Sequence, residues 1–370
     1  MSQRKPLAAL LGFCFNQDAG CFSAGTVQGF RVFNCEPYKE QFRREFDNGG
    51  VAIVEMLFRC NILALVGGGP SPKYPPNKVM IWDDHQGRAI GELSFRNSVH
   101  AVRLRKDRIA VALEHRVLVY NFADLRLLHT IETLTNPSGL LALSPSADAA
   151  VLACPGLHPG QVRVELYDTR RTKFIPAHNS SLAALALSNN GKLLATASEK
   201  GTLVRIFSTA DGSKLRELRR GSDPAVIYSL AFSRGDQPAW VAVTSDKGTA
   251  HVFSLSGRKQ QQGSGGSEGG NGSGGQAGGD GAAGDSPKGG GSNPLAKLSF
   301  VSSYFSSERS FAQLRLPDAH RAVVGFGKDP GCLLVVSSTG AFYKALFDTE
   351  KGGSCEQQSY VQWLEEPRGV

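Results

Sequence analysis

Short runs of apolar and β-branched residues alternate with polar turns along nearly the whole chain of 370 residues. Many of these runs close on an apolar–aromatic pair, and seven such pairs recur: Val32-Phe33, Ile81-Trp82, Val119-Tyr120, Leu166-Tyr167, Ile206-Phe207, Val252-Phe253 and Leu346-Phe347. The first six pairs lie roughly 38 to 49 residues apart, which is the period of a four-stranded propeller blade. Long helical periodicity is absent, so we predict an all-β protein built from seven strand units.

Individual units contain recognisable hairpins. Residues 192–198 and 202–207 are rich in β-branched and apolar side chains and flank a Glu-Lys-Gly turn, and residues 238–253 repeat the pattern. Seven such units close most simply into a seven-bladed β-propeller, because closure removes exposed sheet edges. A β-sandwich is the alternative, but it does not explain the fixed period. We predict that residues 1–370 form one propeller.

One segment differs sharply from the repeats. Residues 257–293 consist almost entirely of Gly, Ser, Gln, Ala and Asp. Such a composition lacks the apolar side chains whose burial offsets the entropy of ordering a chain. We predict a disordered insertion within blade six, which also explains the doubled spacing before the last aromatic pair.

Charge and cysteine content narrow the class of protein. The net charge of +8 and the pI of about 9.1 favour anionic partners without choosing among them. The seven cysteines have no C-x-x-C spacing, so we expect small buried side chains without disulfides or a metal site. No apolar run of a transmembrane length and no signal-peptide pattern is present, and we expect a cytosolic protein that needs no cofactor.

The most informative local feature is the pair Arg219–Arg220 at the end of a strand-like run. Adjacent residues on extended backbone point to opposite sides, so the two guanidinium groups can serve two separate anionic pockets. Arginine suits this role because its planar fork binds phosphate bidentately. The alternative is a solvated basic turn.

Similar sets of side chains flank this pair. Each set offers hydroxyls, a glycine turn, a basic residue and a histidine, which suit a small polyanion. The upstream set is His178, Thr196, Ser198, Gly201, Thr202 and Arg205, and the downstream set is Thr244, Ser245, Lys247, Gly248, Thr249 and His251. Each piece alone is also common in ordinary hairpins.

These residues resemble the PROPPIN family, seven-bladed β-propellers that bind polyphosphoinositides in autophagy. The similar stretches are residues 195–207 (ATASEKGTLVRIF), 218–221 (LRRG), 245–253 (SDKGTAHVF), 15–18, 75–83, 302–306 and 360–363. The chain departs from the family in the long Gly-rich insertion and in Leu218, where many members have Phe.

The resemblance implies two lipid headgroup sites on the rim around blades five and six. Site one would comprise Arg219, His178, Thr196, Ser198, Gly201, Thr202 and Arg205. Site two would comprise Arg220, Gly221, Thr244, Ser245, Gly248, Thr249 and His251. The expected ligands are phosphatidylinositol 3-phosphate and phosphatidylinositol 3,5-bisphosphate.

The resemblance also implies further contacts. In the family, a long loop of blade six dips into the bilayer, which makes Phe300, Val301, Tyr304 and Phe305 candidates for membrane insertion; a strand packed in the blade is the alternative. The family surface around blades two and three recruits other autophagy proteins, including a lipid-transfer partner. Asn16, Asp18, Arg105 and Arg108 are expected there, although a solvated basic face is equally compatible with these residues.

The expected protein is therefore a monomeric effector that lies on phagophore, endosomal or vacuolar/lysosomal membranes. No hydrolase, metalloprotease or phosphate-loop motif is present, and we expect no catalytic residues. The first rival is a WD-repeat scaffold that binds protein alone. The second is a nucleic-acid-binding propeller, which the lack of aromatic residues interleaved with the basic ones disfavours.

Overall fold

The structure of the protein, a computed structural model, describes residues 9–47, 49–256 and 307–364. Contacts along the chain divide it into two units, residues 1–255 with 308–370 and residues 256–307. Every strand of the described residues lies in the first unit, and none of its elements is a helix long and apolar enough to span a membrane.

Seven sheets, each with four antiparallel strands, follow one another along the chain as the blades of a propeller. Blade one contains β1 (Leu10–Phe15), β2 (Cys21–Thr26), β3 (Gly29–Cys35) and β4 (Tyr38–Glu45); blade two contains β5 (Val51–Met56), β6 (Ile62–Gly67), β7 (Lys78–Asp83) and β8 (Arg88–Ser94); blade three contains β9 (Ala101–Leu104), β10 (Arg108–Ala112), β11 (Arg116–Asn121) and β12 (Leu127–Glu132); blade four contains β13 (Ala142–Leu143), β14 (Val151–Pro155), β15 (Gln161–Leu166) and β16 (Arg171–Pro176). Blade five contains β17 (Leu182–Leu187), β18 (Leu193–Ser198), β19 (Leu203–Ser208) and β20 (Lys214–Arg219); blade six contains β21 (Ile227–Phe232), β22 (Trp240–Ser245), β23 (Thr249–Ser254) and β25 (Ala312–Arg315); blade seven contains β26 (Ala322–Phe326), β27 (Cys332–Ser337), β28 (Ala341–Leu346) and β30 (Glu356–Gln362). The predicted seven-bladed β-propeller is confirmed.

The recurring apolar–aromatic pairs mark the third strand of each blade. Phe33, Phe207 and Phe253 are at most 4% exposed, because each packs in an apolar cluster between neighbouring sheets. Burial of an aromatic ring stabilises the folded state by up to several kcal/mol. This contribution explains why one such ring recurs in each blade. All seven cysteines are free, but only four are buried as predicted, whereas Cys14 and Cys355 are partly exposed and Cys60 is exposed.

Two short strands extend the outer edges of blades five and six. The strand β24 (Glu308–Arg309) pairs in parallel with β20, and β29 (Gly353–Ser354) pairs in parallel with β25. Blades five and six therefore carry five strands each.

Strand order places the candidate residues on one side of the propeller. In an up-and-down blade, the turn from the second to the third strand lies on the same side as the connection from the fourth strand to the next blade. This condition is met by the turns 199–202 and 246–248 and by the connections that begin at Ala177 and Arg220. The fold thus gathers residues that are far apart in sequence.

The first and last blades share no strand, so side-chain contacts close the ring. Phe22 of blade one stacks on Phe342 of blade seven with ring centroids 5.8 Å apart. Next to this core, the Glu36 carboxylate accepts a hydrogen bond from the backbone N–H of Lys328 at 2.8 Å and lies 2.7 Å from the Lys344 ammonium. Burial opposes ionisation of Glu36, but these donors outweigh it and hold its pKa below the usual value.

We expect Glu36→Gln to lower stability by about 1.5–3 kcal/mol, because it removes charge-assisted hydrogen bonds that join two blades. The urea midpoint of unfolding measures the loss. Since the pKa of Glu36 is depressed in the folded state, the difference from wild type should be full near neutral pH and disappear as pH falls through that pKa.

The matched control is Glu92→Gln, which breaks a 2.6 Å ion pair with Lys78 on the exposed face of one blade. Exposed pairs contribute little, so this variant should unfold near the wild-type midpoint. Equal midpoints for the two variants would show that Glu36 does not join the blades.

Candidate phosphate-binding site

The alternation of side chains along β20 sends the two arginines to opposite faces of blade five. Leu218 packs in a cluster shared with blade six, so its neighbour Arg219 faces blade four. Arg220 continues the ladder through its backbone N–H, which donates to the Thr202 carbonyl at 3.0 Å. By the same alternation, Arg220 faces blade six. The structure therefore agrees with the predicted divergence of the pair.

Site one lies between blades four and five. The registers place Thr196 opposite Arg205 and Arg205 opposite Glu217, so these side chains share the face of Arg219. A hydrogen bond of 2.9 Å joins His178 Nε2, from the end of blade four, to Thr196 Oγ1. Blade four thus contributes to a site that the sequence placed around blades five and six.

Arg205 already has partners in site one. Its Nε donates to Glu217 Oε2 at 2.9 Å, and its Nη1 donates to the Ala177 carbonyl at 2.6 Å. From the sequence, Arg205 was predicted to supply charge, and Glu217, which lies two strand positions before Arg219, was not recognised. Because the carboxylate offsets that charge, Arg205 contributes mainly to positioning the walls of site one.

Two further residues that the sequence assigned to site one lie next to the turn and are buried. Ser198 and Thr202 are 7% and 8% exposed. Gly201, between them, has φ +66°, and a Cβ there would lie 1.8 Å from the Ala225 carbonyl oxygen. Only glycine fits this turn, because it combines a left-handed backbone with close packing against residue 225.

Burial keeps the histidine of site one neutral. Burial first, and then the positive charge of Arg205, lower the pKa of His178 to about 4. A neutral imidazole is a hydrogen-bonding group whose charge can still change when an anion arrives.

Site two lies between blades five and six and is centred on a buried arginine. Arg220 is 8% exposed, its Nε donates to the Gly201 carbonyl at 2.7 Å, and its Nη2 donates to the Asp223 carbonyl. A guanidinium has five N–H donors, so these contacts orient the group and leave others for a ligand. Burial lowers the pKa of Arg220, and the carboxylates of Asp246 and Asp223 oppose that shift.

Blade six supplies the opposite wall of site two. Val243 and Phe253 face blade five in the shared cluster, so Ser245, Thr249 and His251 face the same way by alternation. Burial, followed by the charge of Arg220, lowers the pKa of His251 to about 4. Its Nδ1 is buried and has no hydrogen-bond partner among the described residues, so it retains the capacity to make a further hydrogen bond.

The turn of site two is also built on glycine. Gly248 has φ +65° and its carbonyl accepts a hydrogen bond from the Leu316 N–H at 2.8 Å. Gly221 follows Arg220 with open space around a would-be Cβ, so the chain after the arginine pair is not crowded.

Thr244 does not join site two, contrary to the sequence-based assignment. Its hydroxyl donates to the Ala322 carbonyl of blade seven at 2.6 Å. Neighbouring Ser245 faces blade five, and a strand sends consecutive side chains to opposite faces. Thr244 therefore fixes blade seven against blade six.

The predicted partner surface is partly buried. Asn16 and Arg105 are each 6% exposed. The Asn16 amide donates to the Phe58 carbonyl at 3.0 Å, and Arg105 donates to the Ala149 carbonyl at 2.7 Å. Asp18 and Arg108 remain more accessible, although Arg108 lies 2.6 Å from the Asp107 carboxylate.

Some predictions fall outside the described residues. The candidates for membrane insertion, Phe300, Val301, Tyr304 and Phe305, and the insertion at 257–293 belong to this part of the chain. Among the residues that the structure does describe, no cluster of three or more His, Cys, Asp or Glu side chains could hold a metal ion.

We expect Gly201→Ala to destabilise the protein more than Gly87→Ala. Both glycines have nearly the same φ, +66° and +65°, so alanine incurs about 1–2 kcal/mol of left-handed strain at either position. Only at Gly201 does the added Cβ also meet a backbone carbonyl. Thermal unfolding of the two variants isolates the effect of that close approach, and equal losses would contradict a tightly packed turn.

Comparison with known proteins identifies relatives along almost the whole chain. The PROPPIN family model matches residues 9–359. Autophagy-related protein 18e of Arabidopsis thaliana is 38% identical over 346 residues, which cover 93% of this chain and 85% of that protein. Autophagy-related protein 18 of Yarrowia lipolytica is 33% identical over 384 residues, with 92% and 93% covered.

Solved structures agree with the fold. Kluyveromyces lactis Hsv2 with its complete loop 6CD superposes with a TM-score of 0.72 at 20% identity, covering 96% of this chain and 99% of that one. KlAtg21, solved in a complex with the coiled-coil of AgAtg16, superposes with a TM-score of 0.72 at 22% identity, covering 96% and 99%. These structures share the propeller, whereas the family match and the sequence relatives carry the assignment. The chain belongs to the PROPPIN family, whose seven-bladed propellers are non-enzymatic binding proteins linked to autophagy.

Proposed function

We propose that this protein binds 3-phosphorylated inositol lipids through two sites and holds autophagy machinery at the membrane that carries them. The single observation that supports this most is the divergence of Arg219 and Arg220 to the two faces of blade five. Each guanidinium then meets a different group of hydroxyls, a glycine turn and a neutral histidine. Phosphatidylinositol 3-phosphate and phosphatidylinositol 3,5-bisphosphate are the proposed ligands.

Two sites on one rigid body explain how a modest contact can hold a protein on a membrane. A basic residue near an anionic surface contributes about 1 kcal/mol, which is weak alone. When the first headgroup is bound, the second binding event becomes intramolecular, and avidity can exceed a single affinity by about 10²-fold. The net charge of +8 favours the approach to an anionic surface.

Recruitment is the second part of the proposal. The solved complex of a related propeller with a coiled-coil supports autophagy proteins as partners, and we extend this to a lipid-transfer partner. Asp18 and Arg108 are the accessible members of the proposed partner surface. The proposed setting is a cytoplasmic monomer that becomes peripheral on phagophore, endosomal or vacuolar/lysosomal membranes.

The double variant R219T/R220T should lose sedimentation with vesicles that contain phosphatidylinositol 3-phosphate, because both principal cations are removed. Each single variant should retain weak binding, since one site survives without avidity. Circular dichroism checks the fold. The control R88Q/R126Q removes two exposed arginines of blades two and three and should sediment like wild type. Unchanged sedimentation of R219T/R220T would favour the scaffold that binds protein alone.

The contribution of the two histidines to lipid binding should grow as pH falls from about 7 to about 5. His178 and His251 are neutral at pH 7 because their pKa values lie near 4. A bound phosphate favours the imidazolium and raises both pKa values, so binding takes up protons and affinity grows toward acid pH.

The comparison of wild type with His251→Gln isolates this effect. The lipid phosphate loses charge near its own pKa of about 6, but this change is common to both proteins and cancels in the ratio of their affinities. Vesicle sedimentation across the pH range should show the ratio growing as pH falls. A constant ratio would mean that His251 does not face the phosphate.

A further inference from the structure

The outer strands of blades five and six each place one additional arginine beside a headgroup site. The parallel pairing of β24 with β20 puts Arg309 in register with Arg219. The antiparallel pairing of β25 with β23 puts Arg315 opposite Thr249. Both arginines lie within residues 309–315, so one short segment of the chain borders both sites.

Neighbouring contacts fix the side of blade five that Arg309 faces. Glu308 Oε1 accepts a hydrogen bond from Arg216 Nη1 at 2.7 Å, and the same Arg216 donates from Nη2 to the Leu255 carbonyl of blade six at 2.9 Å. Glu308 therefore faces blade six. Arg309, the next residue on a strand, faces the opposite way, toward blade four, on the same side as Arg219.

The packing of β25 likewise fixes the side of blade six that Arg315 faces. Ala312 and Leu314 are 1% and 4% exposed and pack in the cluster between blades six and seven. Arg315 alternates with them and therefore faces blade five, as Thr249 and His251 do. Residues directly opposite each other in an antiparallel pair have Cβ atoms about 4.5–5.5 Å apart, so Arg315 borders site two.

The two outer arginines also differ from Arg205 in their charge balance. Arg205 lies 2.9 Å from the Glu217 carboxylate. Arg309 and Arg315 are exposed, and the described residues provide neither of them with a carboxylate within ion-pair distance. Their charge is therefore available at the rim, where it is solvated until an anion approaches.

We propose that Arg309 and Arg315 bind lipid phosphate outside the two inner cradles and so extend each site outward along its sheet. This inference rests on the proposed function. The phosphate could be the second phosphate of a bisphosphorylated inositol headgroup or that of a neighbouring anionic lipid. Either source presents the same oxyanion to a planar guanidinium fork.

The test compares R309Q/R315Q with the matched control R88Q/R126Q, which removes the same charge from remote blades. Three vesicle compositions separate the sources of phosphate: phosphatidylinositol 3-phosphate in phosphatidylcholine, phosphatidylinositol 3,5-bisphosphate in phosphatidylcholine, and phosphatidylinositol 3-phosphate with added phosphatidylserine. Dissociation constants come from vesicle titration, and circular dichroism reports folding.

R309Q/R315Q should bind about fivefold more weakly for each arginine removed, in at least one of the two compositions that offer extra phosphate. A loss confined to the bisphosphate vesicles assigns the outer arginines to the same headgroup. A loss confined to the phosphatidylserine vesicles assigns them to a neighbouring lipid. In both cases, binding should depend less on salt than in wild type, because fewer charge contacts are screened.

Failure of the inference is distinguishable from failure of the proposed function. If wild type binds and R219T/R220T does not, but R309Q/R315Q matches R88Q/R126Q on all three vesicles, the outer arginines do not contact lipid. If wild type itself binds none of the vesicles, the proposed function fails and this inference fails with it.

Discussion

The alternation of side chains at the outer edge of blade five is the constraint on which the site depends. Because Leu218 is buried against blade six, Arg219 must face blade four, and the next residue returns to the blade six side. Two cations one residue apart are thereby separated by a β-sheet. The separation comes from backbone geometry and does not require the arginines to repel each other.

Closure of the propeller makes that separation rigid. Strands of seven blades pack around a common axis, but the first and last blades are joined by side chains rather than by a shared sheet. The aromatic core around Phe22 and Phe342 and the contacts of Glu36 keep the ring intact. A rigid ring fixes the distance between the two proposed headgroup sites, which is the condition for avidity on a membrane.

Much of the fold could be predicted from the sequence, because the aromatic pair that ends each third strand repeats with the blade. The arginine pair and its two flanking sets were also recognisable. The assignment of Thr244 to site two was wrong, and the sequence already argued against it. Thr244 directly precedes Ser245 on a strand, so the two side chains cannot face the same pocket. The role of Glu217 could not be predicted from the sequence, because its ion pair with Arg205 depends on the register between β19 and β20. The burial of Asn16 and Arg105 was likewise hidden, since it arises from contacts with residues more than forty positions away.

If each arginine serves its own phosphate site, the stoichiometry of headgroup binding must change when one arginine is removed. Calorimetric titration with soluble inositol 1,3-bisphosphate should give two molecules bound per wild-type protein and one for each single variant, Arg219→Thr and Arg220→Thr. One molecule bound by the wild type, with binding abolished in both single variants, would show that the two guanidinium groups share one site and would contradict the account.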